Sequence, residues 1–469
     1  MTKRMLINAF SQCCPTPQSE GQWKNPRDRS VPGFNDVEFW IELAKTAERG
    51  CFDSLFFADV HGAYDVYGGN MDAGIRHGVQ VPGNDPTLLL PLLAHETAHL
   101  GFIVTFSTSY FEPFLAAKLF SSLDHFTRGR IGWNVVTSYL RSAAANGLGE
   151  LLEHDARYDK AEEYMEVCYK LWELSWDENA LVYDHAHDTL IDPARVHLIN
   201  HKGPHYEVAG PHMCTPTRQR TPYLVQAGQS PRGYAFSCKH AEAMFVVFQN
   251  LQKAIEGERT VRELEQRFGR APGSLKLMQG IGVVVAETEA EVALKLERCK
   301  GYASVEGALA LFGGWTGVDL SSYRPDDELG AFESNQMRHL AAFFGDIDPT
   351  RRWTFADMCD YMKLTSVCPV IAGTPTQVAD ELERWLEEGK VDGFNLLPVD
   401  QPGTLRDFVD LVVPELQRRG RMRTAYPLGT QTLRELYAGE GNARIARDHP
   451  ARRVSLVDEA PVRALGAAG

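Results

Sequence analysis

Thr221-Pro-Tyr-Leu-Val-Gln-Ala-Gly-Gln-Ser-Pro-Arg-Gly233 runs from a short apolar strand pattern, through a turn of small residues, into the start of a helix. Ser230 has the character of an N-cap, and Pro231 then falls at the first helical position, where its missing N–H is no loss. Backbone N–H groups beyond such a cap face outward and the helix dipole favours negative charge, so a phosphate suits this turn; a plain strand-to-helix connection fits it equally well. On either reading the block is one βα unit. The pattern recurs along the chain, with predicted strands at 5–10, 54–59, 101–107, 131–137, 222–227, 243–248, 275–285 and 393–398. Between them lie amphipathic stretches at 36–49, 113–126, 159–172, 232–241, 288–302, 376–388 and 405–418. Eight short Val, Ile and Phe-rich strands alternating with helices predict an α/β fold, a closed (β/α)8 TIM barrel.

A chain of 469 residues suits one such barrel over residues 1–469, with insertions near 60–84, 176–221 and 303–375 and a C-terminal extension after 420. Connections after the strands build the site face of a barrel, so the first and third insertions are expected to cover it. The stretch Phe312-Gly-Gly-Trp315-Thr-Gly317 reads as part of a mobile lid rather than core. The arginine-rich tail, which includes Arg434 and Arg444, is expected to wrap a neighbouring surface or to fray.

A formal charge of -14 disfavours a nucleic-acid partner, because such affinity comes from clustered Lys and Arg. No apolar run reaches membrane length and the N-terminus has no signal-peptide pattern, so a cytoplasmic protein with no membrane partner is expected. The 9 cysteines show no CxxC pair or framework spacing and are expected to be reduced. His95-Glu-Thr-Ala-His99 matches HExxH, which on a helix would set two zinc ligands on one face. A short core helix running into the strand at Gly101 explains the same letters without a third ligand, so no metal is expected. GxSxG, Walker and GxGxxG patterns are absent from the sequence.

Chemistry is therefore sought at the barrel mouth. Asp59, Ser107 and Asn134 fall at the ends of the second, third and fourth predicted strands, where barrel enzymes place site residues. In Glu153-His-Asp-Ala-Arg-Tyr-Asp159, Tyr158 could donate its hydroxyl to a phosphate. His154 reads either as a ligand-orienting group or as a satisfied structural histidine.

Asn134-Val-Val-Thr-Ser138, Leu152-Glu-His-Asp-Ala-Arg-Tyr-Asp159 and Gln226-Ala-Gly-Gln-Ser-Pro-Arg-Gly233 resemble the luciferase-like flavin monooxygenase family, in its nitrilotriacetate, dibenzothiophene-sulfone and long-chain alkane monooxygenase branch. Phe56-Phe-Ala-Asp59, Thr105-Phe-Ser-Thr108, Leu123-Asp-His-Phe-Thr-Arg-Gly-Arg130 and Asp392-Gly-Phe-Asn395 extend the likeness nearly end to end. The resemblance implies a two-component enzyme: an NAD(P)H-dependent flavin reductase supplies reduced FMN, and this chain uses it with O2 to oxygenate a small organic substrate. It also implies a homodimer or homotetramer. Carried over by position, Asp59, Asn134 and Ser138 would line the flavin ring and ribityl chain, with Ser107 and His154 as further cofactor-binding candidates. Tyr158 and Ala227, Gly228, Gln229 and Ser230 would hold the ribityl tail and phosphate.

Cys14, Tyr64, Gln80 and Tyr139, at the ends or first loops of strands one, two and four, are the substrate-pocket candidates the resemblance implies. This chain departs from the family where Tyr139 replaces a histidine and where 306–315 is apolar. Leu309, Leu311, Phe312 and Trp315 would then favour an apolar or aromatic substrate over a polycarboxylate. Two rival readings share the fold: a deazaflavin-dependent oxidoreductase, and a non-catalytic flavin-binding protein. The Tyr158 and 226–233 segments favour FMN over deazaflavin, and an insertion as long as 303–375 suits a water-excluding enzyme better than a storage protein.

Overall fold

The strands close on themselves because every one finds a parallel partner on both sides. In this computed structural model, which describes residues 3–147, 152–331, 335–429 and 431–456, the barrel strands are β1 (Leu6–Gln12), β2 (Ser54–Ala58), β3 (Gly101–Ser107), β4 (Ile131–Val136), β5 (Tyr223–Gln226), β6 (Ala243–Val246), β7 (Lys276–Val285) and β8 (Gly393–Leu397). Each pairs with its successor, and β8 pairs with β1 to complete the ring. The helices used below are α1 (Val37–Arg49), α2 (Leu90–Glu96), α3 (Pro113–Phe126), α4 (His154–Tyr169), α5 (Pro231–His240), α6 (Leu251–Arg267), α7 (Glu289–Tyr302), α8 (Val305–Thr316), α9 (Pro375–Glu387) and α10 (Leu433–Ala438).

The period-2 strand pattern sorts side chains between two cores. Ile7, Leu55, Phe57, Phe102, Val104, Trp133 and Val135 point outward and pack with the helices. Leu6, Phe10, Phe56, Ile103, Tyr223, Val225 and Met278 point inward and fill the barrel, with the Phe10 and Phe56 rings stacked at 5.5 Å. Local signals start several helices: Asp36 accepts the Glu38 N–H before α1, and Thr288 with Glu291 makes a capping box before α7.

The sequence reading missed α6, whose charged surface leaves only Ala254, Gly257, Val261 and Glu265 buried. That stripe is too narrow to announce an amphipathic helix. It packs closely all the same, since a Cβ at Gly257 would lie 2.3 Å from the Phe248 ring.

The third insertion also differs from expectation. Residues 312–316 are the last turns of α8, ended by Gly317 at φ 72°, and not a loop. Ala308, Leu309 and Phe312 join Val318, Leu320, Phe344, Trp353, Phe355 and Met358 in a hydrophobic cluster of their own. A short strand, Val370–Gly373, pairs with the far half of β7 and returns the insertion to the main sheet.

The HExxH letters do not lie on one helical face. α2 ends at Glu96 and Thr97 is extended, after which the His99 ring stacks on Tyr426 at 4.9 Å. All nine cysteines are free thiols, and no described helix is long and apolar enough to cross a membrane.

The described part of the tail neither frays nor merely wraps a surface; residues beyond 456 lie outside the described residues. α10 closes the N-terminal end of the barrel, where Leu433 fills the space left by Gly101 and Gly132; a Cβ on either glycine would come within 2.4 and 2.8 Å of it. Arg434 is 2% exposed and donates to both Glu242 oxygens at 2.7 and 2.9 Å, and to the Thr221 and Pro222 carbonyls at 2.9 and 3.0 Å. Removing the cation would leave Glu242 buried and unpaired. Arg434→Met is expected to destabilise the fold by about 3–5 kcal/mol, measured by chemical denaturation. A loss below about 1 kcal/mol would show that the tail does not close the barrel energetically.

Candidate active site

A cavity of 390 Å³ opens at the C-terminal ends of β2 to β5, the end of the barrel opposite the tail plug. One part of its wall is suited to an anion. Ser230 caps α5 by accepting the Gly233 N–H at 3.0 Å, and His154 Nε2 lies 3.2 Å from the same hydroxyl. Tyr158 receives the Gln226 amide N–H at 3.4 Å, while Gln226 Oε1 accepts the Gly228 N–H at 2.6 Å and tightens the turn. Glycine is required there, since a Cβ at Gly228 would fall 2.5 Å from the Tyr158 oxygen.

The helix start offers fewer backbone donors than the sequence suggested. Pro231 has none, and the Gly233 and Tyr234 N–H groups are already taken by Ser230. That leaves the Arg232 N–H with the side chains of His154, Tyr158 and Arg157. The Gln229 side chain turns away to accept the Val247 N–H at 2.7 Å, so it faces the cavity only through its turn.

The middle of the wall is polar and partly strained. Ser107 and Ser138 share a hydrogen bond at 2.7 Å, and Ser138 adopts a left-handed backbone at φ 54° that aims its carbonyl at the Arg157 guanidinium. Asp59 lines the cavity and accepts the Val60 N–H at 2.9 Å. Burial, helped by the Asp85 carboxylate, pushes its carboxyl up to about 7. Burial also lowers the neighbouring His61, whose ring packs edge-on to Tyr110 and Phe111. Asn134 does not reach the wall. Its amide N–H donates to Thr105 Oγ1 at 2.8 Å, and Thr105 is the residue that faces the cavity.

The remaining part is apolar, formed by Val60, Leu140, Ala143, Tyr139 and Trp315. Of the substrate-pocket candidates, only Tyr139 lines the cavity. Tyr64 is 1% exposed and sits behind it, joined to Tyr139 and to Gln80, each at 2.8 Å. Cys14 is buried away from the cavity wall, and burial raises its thiol well above the usual range. The positions 309, 311 and 312 do not line the cavity: Leu309 and Phe312 pack inside the insertion, and Leu311 packs behind the wall against Tyr64, Val79 and Leu140; Trp315 alone of the four faces the cavity.

Sequence reasoning missed His61, Thr105, Tyr110 and Arg157. The Tyr110 hydroxyl and Arg157 Nε are buried without a hydrogen-bond partner, beside the cavity they line. Arg157 and Thr105 stand inside the 153–159 and 105–108 segments that carry the family resemblance; nothing in the sequence marks His61 or Tyr110.

The model of the luciferase-like monooxygenase family matches residues 10–393. The chain belongs to the luciferase-like monooxygenase family. It is 44% identical over 455 residues to the long-chain alkane monooxygenase of Geobacillus thermodenitrificans, covering 97% of this chain and 98% of that one. It is 42% identical over 452 residues to the dimethyl-sulfide monooxygenase of Hyphomicrobium sulfonivorans, covering 96% and 94%. Among solved structures, a riboflavin lyase with modified FMN and riboflavin superposes with a TM-score of 0.87 at 33% identity, covering 96% of this chain and 99% of that one.

In this luciferase-like chain one further acid lies near the site. Glu20 is 2% exposed, neither carboxyl oxygen has a hydrogen-bond partner, and its Cβ packs against Gly307 of α8. Burial pushes it from 4.5 to about 8, so the folded state holds a proton that the unfolded chain releases. Stability should therefore fall as pH rises from about 4.5 to about 8, by up to about 1.4 kcal/mol per unit, and level off above. Glu20→Gln should remove this component of the slope, as read by denaturation between pH 5 and 9; an unchanged slope would refute the assignment.

Proposed function

We propose that this chain is the oxygenase component of a two-component flavin monooxygenase. It would take reduced FMN from a separate NAD(P)H-dependent flavin reductase and use O2 to oxygenate a small apolar or aromatic substrate, such as an alkane, a sulfone or a related xenobiotic. The observation that carries this reading is one cavity with two kinds of wall: an anion-suited turn at Ser230, Tyr158 and Arg157, continuous with an apolar end under Trp315. Its volume falls in the range of about 300–1,000 Å³ usual for small-molecule sites.

The residues present fit FMN. Gly228 keeps the turn open to a close approach, and Arg157 Nε and the Tyr110 hydroxyl are buried donors without a partner in the protein. The phosphate would meet Ser230, Tyr158, His154 and the Arg232 N–H at the start of α5, where the helix dipole favours an anion. Asp59, Ser107 and Ser138 would border the ring, and Asn134 would act through Thr105. Bound reduced FMN supplies the electrons with which O2 is activated. The chain orients the substrate against Tyr139 and Leu140, and α8, which carries Trp315, keeps water from the apolar end. The FMN in the riboflavin lyase structure supports the same cofactor here.

Oxygenation of substrate is expected only when a reductase, NAD(P)H and FMN are supplied together; no product with any reductase across alkanes, aromatic sulfones and thioethers would overturn the proposal. A preference for aminopolycarboxylates would overturn the apolar-substrate reading. Tyr158→Phe is expected to weaken FMN binding by about 2- to 10-fold in a fluorescence titration, and an unchanged dissociation constant would remove Tyr158 from the phosphate site. We also propose a homodimer or homotetramer that covers Leu88, Leu92 and Leu115, which are exposed beside and on α2 and α3. Light scattering of the purified protein would show a monomer if this is wrong.

A further inference from the structure

A hydrogen-bonded chain behind the cavity has its direction fixed at its buried end. Gln80 donates its amide N–H to the Pro17 carbonyl at 3.0 Å, which turns its Oε1 to Tyr64 at 2.8 Å. An amide oxygen only accepts, so the Tyr64 hydroxyl commits its single proton there. Burial pushes the hydroxyls of Tyr64 and Tyr139 upward, the latter to about 12, so both are protonated at neutral pH. The Tyr64 oxygen must then accept at its other two contacts: the Trp315 indole N–H at 3.2 Å and the Tyr139 hydroxyl at 2.8 Å. An indole N–H can only donate, and Tyr139 has no second proton. Tyr139 and Trp315 thus face the cavity with their donors already drawn inward, among Leu140, Ala143, Ala310 and Leu311.

We propose that Tyr64 is a positioning residue for specificity: by taking the Tyr139 and Trp315 protons it keeps these two donors out of the corner, so the corner favours thioethers and hydrocarbons over sulfoxides and sulfones. The inference rests on the monooxygenase reading and narrows its substrate class, withdrawing the sulfone from the examples given there. A sulfone oxygen pressed against Tyr139 or Trp315 would be buried without a donor, which is unfavourable, whereas a thioether sulfur or a methylene asks for none. The same asymmetry would help an oxygenated sulfur product to leave the corner in which it formed. Arg157 is held by the Ser138 carbonyl on the polar wall; Tyr110 packs against the same cluster, and its hydroxyl is the donor beside this corner that Tyr64 does not control.

The test is ligand binding to the purified full-length chain without flavin or reductase, using methyl phenyl sulfide and methyl phenyl sulfone as matched probes in calorimetry. Wild type is expected to bind the sulfide about tenfold or more tightly than the sulfone. Tyr64→Phe releases both donors to the cavity and should shrink that ratio several-fold, chiefly by a gain for the sulfone. Adding Tyr139→Phe to it should take back part of the gain, an effect that loosened packing alone would not produce. Gln80→Met frees the Tyr64 proton to pair with Tyr139, and so tests the same relay if Tyr64→Phe does not fold. An unchanged ratio in both single variants, a wild-type preference for the sulfone, or no binding of either probe would overturn the proposal. Because turnover is not measured, failure here is separable from failure of the monooxygenase reading, which the reductase-coupled assay decides.

Discussion

A closed ring of eight parallel strands has to be filled, and everything else in this chain follows from how its two ends are filled differently. At the N-terminal end the tail supplies the filling. Leu433 enters the notch left by Gly101 and Gly132, and Arg434 spans from Glu242 to two carbonyls that precede β5. Further in, Phe10, Phe56 and Tyr223 occupy the interior. With the lower barrel solid, the upper end can stay open, and a cavity there does not compromise the core that holds it.

The open end is divided by the chemistry of the loops that reach it. The β5–α5 turn presents an N-cap, an exposed helix start and a glycine at the point of closest approach, which together make a place for negative charge. The first and third insertions meet on the other side, where Val60, Leu140 and Trp315 make an apolar surface. Between these lies a layer of hydroxyls and the raised carboxyl of Asp59. One cavity therefore holds a polar, anion-tolerant half and an apolar half, the division that the proposed flavin-dependent oxygenase would need in order to bind a charged cofactor and an uncharged substrate side by side.

The apolar half is not apolar by composition. Tyr64, Gln80, Tyr139 and Trp315 all carry polar atoms, and they present a non-polar corner because each donor is consumed by the next residue inward. The anchor is a backbone carbonyl, Pro17, which cannot change its role. A single fixed acceptor thus sets the direction of every proton up to the cavity wall.

The sequence by itself determined the strand and helix succession, because period 2 and period 3.6 are local properties of side-chain spacing. β3 and α3 came out at the predicted bounds, and the other barrel strands within two residues. It also marked the Ser230 turn and Tyr158, since caps and glycine turns are written in adjacent residues. α6 was hidden because its buried stripe is narrow, and α8 was misread because glycines beside Trp315 resemble a loop until the Tyr64 ring against Gly314 and the packing of 344–358 with Leu309 and Phe312 are known. Only the tertiary structure decided that Asn134 stands behind Thr105, that Arg434 plugs the barrel, and that Tyr64 meets Tyr139 and Trp315 across 75 and 251 residues. Contacts of that sequence separation leave no local pattern; they exist because ring closure brings the ends of non-adjacent strands to one mouth.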